Sequence, residues 1–261
     1  MQEMVTILEI GGVEIACRVN AGGLIEGRKS LLFIHGSGGD HTVWDDQFDD
    51  LARDFNVVAL DLPGHGLSGG GGEDDIYRYA EWVRKAVEAL SLKNPVVVGH
   101  SLGAAVSLSL SLTCPGMLSG IVLVGGGARM PVGKMIFDGI RDNFKGFVEL
   151  SPDYAVHREN REGVRDLLLE GFSQVTPEVF FADFTACNKF DVEKRLCEID
   201  LPTLIVCGDK DMMMPPKYSE ALHKQIESSR CEIIPRCGHF PMLEKSAVLT
   251  ALIGEFSETF A

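Results

Sequence analysis

Six short runs of aliphatic and β-branched residues constrain this chain most: Leu31–His35, Asn56–Asp61, Val96–His100, Ile121–Gly125, Thr203–Gly208 and Cys231–Pro235. Most are apolar throughout rather than alternately, the pattern of strands covered on both faces of a parallel sheet. The segments between them read as helices. Asp74–Leu90 places Ile76, Ala80, Val83, Val87 and Leu90 at three- and four-residue spacing, with charges on the other face. Leu102–Leu112 is small and apolar on nearly every side, as a buried helix is. Pro216–Ile226 and Pro241–Phe256 each begin near a proline, which suits the first turn of a helix. Ahead of these, Met4–Ile10 and Val13–Val19 flank Gly11-Gly12 and predict an opening hairpin. The expected fold class is α/β: an eight-stranded, mostly parallel sheet, two strands antiparallel and six parallel, flanked by helices.

The rhythm breaks once. After Gly125-Gly126-Gly127, about 70 residues pass before the next good strand at Thr203. Residues 128–196 read as helical, over Lys134–Phe147, Asn160–Phe172 and Pro177–Phe184, and they hold eight of the 14 phenylalanines. Those rings either form a small core of the insertion's own or line an apolar pocket beneath it. The expected organisation is a core domain of residues 1–127 and 197–261 with a helical cap of residues 128–196. The Gly69–Gly72 run reads as a flexible loop.

Composition narrows the function. A chain of 261 residues can bury a core and a closed pocket. With 24 Lys+Arg against 38 Asp+Glu the net charge is −14, which attracts neither nucleic acid nor anionic membrane surfaces. The start, MQEMVTILEI, carries Glu3 and Glu9 and lacks the marks of a signal peptide. No stretch approaches the roughly 18 apolar residues of a membrane helix. The seven cysteines are odd in number, scattered and free of CxxC pairs, which points to reduced thiols and a cytoplasmic location. A monomer or homodimer is expected.

Gly99-His100-Ser101-Leu102-Gly103 lies where a strand gives way to a helix, the setting of a G-x-S-x-G nucleophile elbow. The turn strains the serine backbone, and side chains at either glycine would collide with neighbouring chain. Ser101 is the candidate nucleophile, and the N–H of Leu102 points to where an oxyanion would form, helped by the helix dipole. A serine hydroxyl needs a base. His239 follows the last strand and so emerges at the same sheet edge. His100 adjoins the serine but points away, His35 and His65 suit structural hydrogen bonds, and His41, His157 and His223 read as surface or cap residues. The base needs a carboxylate. Asp211 fits better than Asp209, because Gly-x-x-Asp gives the chain a turn before the carboxylate arrives, leaving Asp209 as a turn former. The glycine-rich His35–Gly39 loop offers a second oxyanion donor, the N–H of Ser37.

With these residues in hand, the chain resembles the α/β-hydrolase superfamily over nearly its whole length. The motifs are HGSGG at 35–39, DLPGHGLS at 61–68, GHSLG at 99–103, GDKD at 208–211 with Pro215, and GHFPMLE at 238–244. The resemblance implies the same roles for Ser101, Asp211, His239, Ser37 and Leu102, and a helical cap between the sixth and seventh strands. It also implies a mainly structural part for Asp61 and His65. Relatives that dehalogenate or open epoxides carry Asp where this chain has Ser101, which disfavours both chemistries.

The expected reaction is hydrolysis of a small to medium carboxylic ester through an acyl-enzyme, with no metal or organic cofactor. A small apolar ester-like substrate fits the phenylalanines and the Met212-Met213-Met214 run, although the methionines fit packing under the cap equally. Three alternatives stay open. One is carbon–carbon hydrolysis of a diketone-like ring-fission product, with Arg129, Arg158, Arg161 and Arg165 as anion donors or as solvated helix charges. The others are a slow-turnover signalling hydrolase that binds a small ligand, and acyl transfer to an acceptor other than water.

Overall fold

Each apolar run becomes a strand within two residues of its expected limits. The strands are β1 (Met4–Ile10), β2 (Val13–Val19), β3 (Ser30–Ile34), β4 (Asn56–Leu60), β5 (Val96–His100), β6 (Gly120–Val124), β7 (Thr203–Gly208) and β8 (Ser229–Ile234). The computed structural model describes residues 4–259. Residues 1–3 and 260–261, which the expected core domain and the reading of Glu3 include, lie outside the described residues.

The strands form one sheet in the order β1-β2-β4-β3-β5-β6-β7-β8. Neighbours from β4 through β3 to β8 are parallel, and β2 pairs antiparallel with both β1 and β4. The chain moves from β3 outward to β4, then returns to place β5 on the other side of β3. Open sheets bind ligands beyond the carboxyl ends of their strands at such a reversal. The two loops that open there carry His35–Gly39 and Ser101.

Helices cover both faces. In chain order they are α1 (Asp45–Leu51), α2 (Ile76–Ala89), α3 (Leu102–Thr113), α4 (Lys134–Asp142), α5 (Phe144–Ala155), α6 (Arg161–Ser173), α7 (Pro177–Lys189), α8 (Pro216–Gln225), α9 (Pro241–Glu244) and α10 (Ser246–Glu258). Successive strand side chains point to opposite faces. Leu32, Val97 and Leu123 meet Val83, Val106 and Leu222 on one side, while Phe33, Val98 and Val206 meet Phe48, Leu249 and Ile253 on the other. Both faces are dry, which is why the strands are apolar throughout. Among the described residues, no helix is long and apolar enough to cross a membrane.

Several expected helices are redrawn. Lys134–Phe147 breaks at Asn143, which leaves helical geometry and caps α5 by accepting the Gly146 N–H at 3.1 Å. α5 then runs through Pro152 to Ala155. Pro241–Phe256 breaks at Lys245, which leaves helical geometry, and the Glu244 side chain just before it turns inward to the Gly238 and Phe240 N–H groups. α7 extends past Phe184 to Lys189 as its buried face continues through Ala186 and Cys187.

The Gly69–Gly72 run, expected as a flexible loop, is exposed over Gly69–Gly71 and tied at its ends. Gly69 donates to the Glu14 carbonyl at 2.8 Å and accepts from the Gly64 N–H at 3.0 Å. A Cβ on Gly72 would meet Val179 of α7 at 3.1 Å and the Tyr79 hydroxyl at 3.2 Å. Gly72 therefore lets the end of this loop pass under α7.

Helices α4–α7 leave and return through one neck. Arg129 and Asp191 form an isolated antiparallel bridge, and Val192 donates to the Ala128 carbonyl at 3.0 Å. Inside the insertion, Phe180 is the hub of an aromatic cluster, with Phe144 at 5.4 Å, Phe147 at 5.8 Å, Phe172 at 5.5 Å and Phe184 at 6.2 Å between ring centroids. The first three pairs are edge-on and the Phe184 pair is stacked; such aromatic pairs add about 0.5–1.5 kcal/mol each beyond simple burial.

Candidate active site

Ser101 joins β5 to α3 with φ 52° and ψ −112°, a left-handed conformation rare for a side-chain-bearing residue. Its N–H donates to the Val124 carbonyl at 2.8 Å, which ties the turn to β6. Close approach explains the flanking glycines. A Cβ on Gly99 would lie 2.1 Å from the Gly103 carbonyl oxygen, and one on Gly103 would lie 2.4 Å from that of Ile34. Leu102 is the first residue of α3, so its N–H is among those at a helix start with no partner inside the helix.

His239 and Asp211 meet at the same sheet edge. His239 Nδ1 lies 2.7 Å from Asp211 Oδ2. The other carboxylate oxygen, Oδ1, accepts from the Met213 N–H at 2.9 Å and the Met214 N–H at 2.8 Å. Asp209 faces elsewhere, accepting from the Cys237 N–H at 3.3 Å and pairing with Lys210 at 3.0 Å. Asp211 is 4% exposed, His239 1% and Ser101 9%, so all three are largely withdrawn from water.

Glu244 braces the His239 loop, a contact that sequence reasoning missed although the residue closes the GHFPMLE motif. It accepts from the Gly238 and Phe240 N–H groups on either side of His239. The His239 N–H itself donates to the Ala155 carbonyl at 2.7 Å, at the end of α5. Core and insertion thus hold the histidine loop jointly.

The other histidines sort by their partners. His100 donates from Nε2 to the His239 carbonyl at 2.8 Å, and its ring centroid is 4.8 Å from that of His239. Burial, then the proximity of His239, pushes His100 well below its ordinary pKa, so it stays neutral. His35 donates from Nδ1 to the Gly36 carbonyl and accepts the Leu62 N–H on Nε2. Burial, followed by the charge of His65, pushes it down to about 4. His223 is exposed and His157 half-buried. His41 departs from the surface role expected of it: it is buried, and its backbone N–H and Nδ1 reach Asp61 Oδ1 at 2.7 and 2.9 Å. Burial opposes its charge, yet the hydrogen bond and charge of Asp61 raise it overall.

The ligand atoms of Asp40, His41 and Asp61 lie within 4.8 Å of one another, close enough to hold a cation. Asp61 Oδ1 serves His41, Oδ2 accepts from the Leu67 N–H, and Asp40 Oδ1 caps Thr42. These bonds anchor the DLPGHG loop.

Ser37 and Ser101 stand where two cavity arms of about 340 Å³ each converge, together with Ile136, Tyr154, Phe184, Met213 and His239. One arm is aromatic, lined by Phe147, Phe172, Phe180 and Phe240. The other carries Met130, Pro131, Val132, Cys187, Met212 and Met214. Phe147, Phe172, Phe180 and Phe184 therefore both pack the insertion and line a pocket, so the two roles expected of the phenylalanines coincide. Met214 is buried under the insertion, while Met212 and Met213 border the second arm in the open.

The four arginines considered as anion donors line neither arm. Arg129 pairs with Asp191 and Glu193, and Arg161 and Arg165 both pair with Asp153. Arg158 is exposed.

Comparison with known proteins adds four likenesses. The model of the family described as Alpha/beta hydrolase family matches residues 31–252. A pimeloyl-[acyl-carrier protein] methyl ester esterase of Neisseria meningitidis serogroup A is 28% identical over 245 residues, covering 88% of this chain and 77% of that protein. The solved structure of a thermophilic esterase is 30% identical, with a TM-score of 0.82 over 99% of this chain and 98% of that one. An esterase from Exiguobacterium antarcticum, 18% identical, superposes with a TM-score of 0.90 over 98% of this chain and 100% of that one.

Proposed function

Because the chain belongs to the alpha/beta hydrolase family and is a hydrolase of esterase type, we propose that it cleaves small to medium carboxylic esters through Ser101, His239 and Asp211. The observation that carries this reading is the 2.7 Å contact between His239 and Asp211, beside a strained Ser101, at the junction of two cavity arms. An ester has two substituents on either side of one reacting carbon. Two apolar arms meeting at the serine match that shape.

His239 takes the Ser101 proton as the oxygen attacks the ester carbonyl, while Asp211 holds the ring in the right tautomer and balances its charge. The N–H groups of Ser37 and Leu102 receive the oxyanion. Collapse of the tetrahedral adduct breaks the ester C–O bond, and the proton on His239 passes to the departing alcohol. Water then attacks the acyl-enzyme by the same route and releases the acid and Ser101.

In this reading residues 128–196 act as the cap and residues 1–127 with 197–261 as the core domain. The neck at Arg129 and Asp191 supports that division. We assign the acyl group to the phenylalanine arm and the alcohol to the methionine arm. The methyl ester in the name of the meningococcal relative agrees with a small alcohol and a longer acid. A cytoplasmic location belongs to the same proposal, on the number and scatter of the seven cysteines.

Hydrolysis of p-nitrophenyl esters of increasing acyl length, by wild type and Ser101→Ala together, tests the proposal. Turnover of short or medium chains that is lost in the variant is expected. Turnover that survives in Ser101→Ala, or is absent from the wild type on every chain, overturns it.

A further inference from the structure

Asp183 is a fully buried carboxylate on α7, inside the insertion, and its partners all lie in the core. Its Oδ2 accepts from the Gly38 N–H at 3.2 Å and sits 2.9 Å from His65 Nε2. Its Oδ1 accepts from the Tyr79 hydroxyl, which in turn accepts from the Glu73 N–H at 2.9 Å. One side chain from the insertion thus reaches the loop after β3, the loop after β4 and helix α2.

The charge state follows from the geometry. His65 Nδ1 faces the Pro63 carbonyl at 3.1 Å and Nε2 faces Asp183. Both oxygens only accept, so both ring nitrogens must donate and the ring is a cation. Burial opposes that charge, but Asp183 outweighs it and raises the His65 pKa. A buried carboxylate is tolerable when its charge and lone pairs are matched, and this one is matched by an imidazolium, a hydroxyl and a peptide N–H.

An ion pair that merely fastened insertion to core would need no contact with Gly38. Gly38 has φ 69°, follows Ser37 directly and belongs to a turn closed by the Gly39 N–H to Gly36 carbonyl bond at 3.1 Å. The Gly38 bond to Asp183 is a second tie on that turn. α7 also covers it from above, since a Cβ on Gly38 would fall 2.0 Å from Phe180 Cζ. The peptide planes on either side of Ser37 are therefore held from below by the core and from the insertion by Asp183.

We propose that Asp183 is a positioning residue for the esterase: through the Gly38 N–H it fixes the turn that aims the Ser37 N–H at the oxyanion. It touches no reacting atom. The inference rests on the reading of Ser101 and Ser37 given above.

The experiment compares wild type, Asp183→Ala, Asp183→Asn and Ser101→Ala on p-nitrophenyl butyrate, with thermal melting and the affinity of an alkyl boronic acid that mimics the tetrahedral adduct. Asp183→Ala is expected to lower kcat about 30-fold or more at nearly unchanged KM, a fraction of what losing an oxyanion donor outright costs. Boronate affinity should fall in parallel. Asp183→Asn can turn its oxygen to Gly38 and its amide to Tyr79, so it should recover most of kcat. Should Asp183→Ala fail to fold, Asp183→Leu, which fills the space but offers the Gly38 N–H no acceptor, carries the test through the same parallel fall in kcat and boronate affinity. An Asp183→Ala or Asp183→Leu variant that melts earlier but keeps kcat and boronate affinity overturns the proposal, as does a loss confined to KM. Turnover retained in Ser101→Ala brings down the serine reading itself, an outcome distinct from any result at Asp183.

Discussion

Asp211 divides its carboxylate between His239 and its own turn: Oδ2 meets the imidazole Nδ1 at 2.7 Å, while Oδ1 takes the N–H groups of Met213 and Met214. The two backbone bonds leave the carboxylate little freedom to rotate. The orientation of the His239 ring is therefore set by a short stretch of chain just beyond β7.

That division makes Asp211→Asn a selective probe. The amide oxygen can keep the two N–H bonds, which puts the NH₂ group against His239 Nδ1 and forces the wrong tautomer. We expect kcat to fall about 10⁴-fold with the fold intact, the size of effect known for this exchange in a serine triad. Asp209→Asn should change kcat by less than about threefold, because its carboxylate serves Cys237 and Lys210 and no base. Steady-state kinetics of the two variants decide between them.

The backbone of Ser101 predicts a difference between two inactive variants. At φ 52° and ψ −112° an alanine keeps the strain, whereas glycine relieves it. Ser101→Gly should be about 1–3 kcal/mol more stable than Ser101→Ala, as read by urea unfolding. Equal stability would show that the turn stores nothing.

The two cavity arms predict separate specificities. Val132→Trp narrows the methionine arm and should suppress esters of bulky alcohols while sparing methyl esters. Phe172→Ala opens the phenylalanine arm and should move the preferred acyl chain to greater length, at a cost in stability of about 3–5 kcal/mol. Paired acyl and alcohol ester series read both shifts. The opposite pattern would exchange the assignments of the arms.

The neutral histidines predict acid sensitivity. His35, with its pKa pushed down to about 4, stays unprotonated inside the fold, whereas the unfolded chain takes up that proton near pH 6.5. The contribution is complete above pH 6.5 and declines until the pH reaches about 4. At about 1.4 kcal/mol per pH unit, His35 alone removes roughly 3 kcal/mol across that window. His100 acts in the same direction. His41 and His65, both raised, are charged in folded and unfolded chains there and add no slope; their contribution is lost instead as the pH rises through their folded values. Urea unfolding across this range, with imidazole resonances followed by NMR, checks the sign. A folded His35 that titrates near its ordinary value contradicts it.

The residues legible in sequence share a property: their partners are announced locally. Ser101 sits between two glycines that the elbow demands, Asp211 and His239 follow strands that end at one edge, and apolar runs mark buried strands directly. What escaped depends on distance or on side-chain direction. Asp183 is 118 positions from His65, and nothing in the sequence around either residue indicates the pair. His41 looked like surface because Asp61 lies 20 positions away. The break at Asn143 turns on where one side chain points, and α5 runs through Pro152 to Ala155, past the expected limit at Phe147. The contact of Gly72 with α7 was not legible because Val179 comes more than a hundred residues later.

The neck at Arg129 and Asp191 would suggest that the helices it encloses can be traded for those of a relative, since the sheet need not be rerouted. The ion pair across the seam says otherwise. A chimera built on this core with a foreign set of helices would leave His65 buried with no partner for Nε2; burial would then strip its charge, at a loss of about 1–3 kcal/mol for an unsatisfied buried group. Exchange of parts here has a compatibility rule. The incoming helices must bring a carboxylate to the position of Asp183, or the core must surrender His65 in the same step.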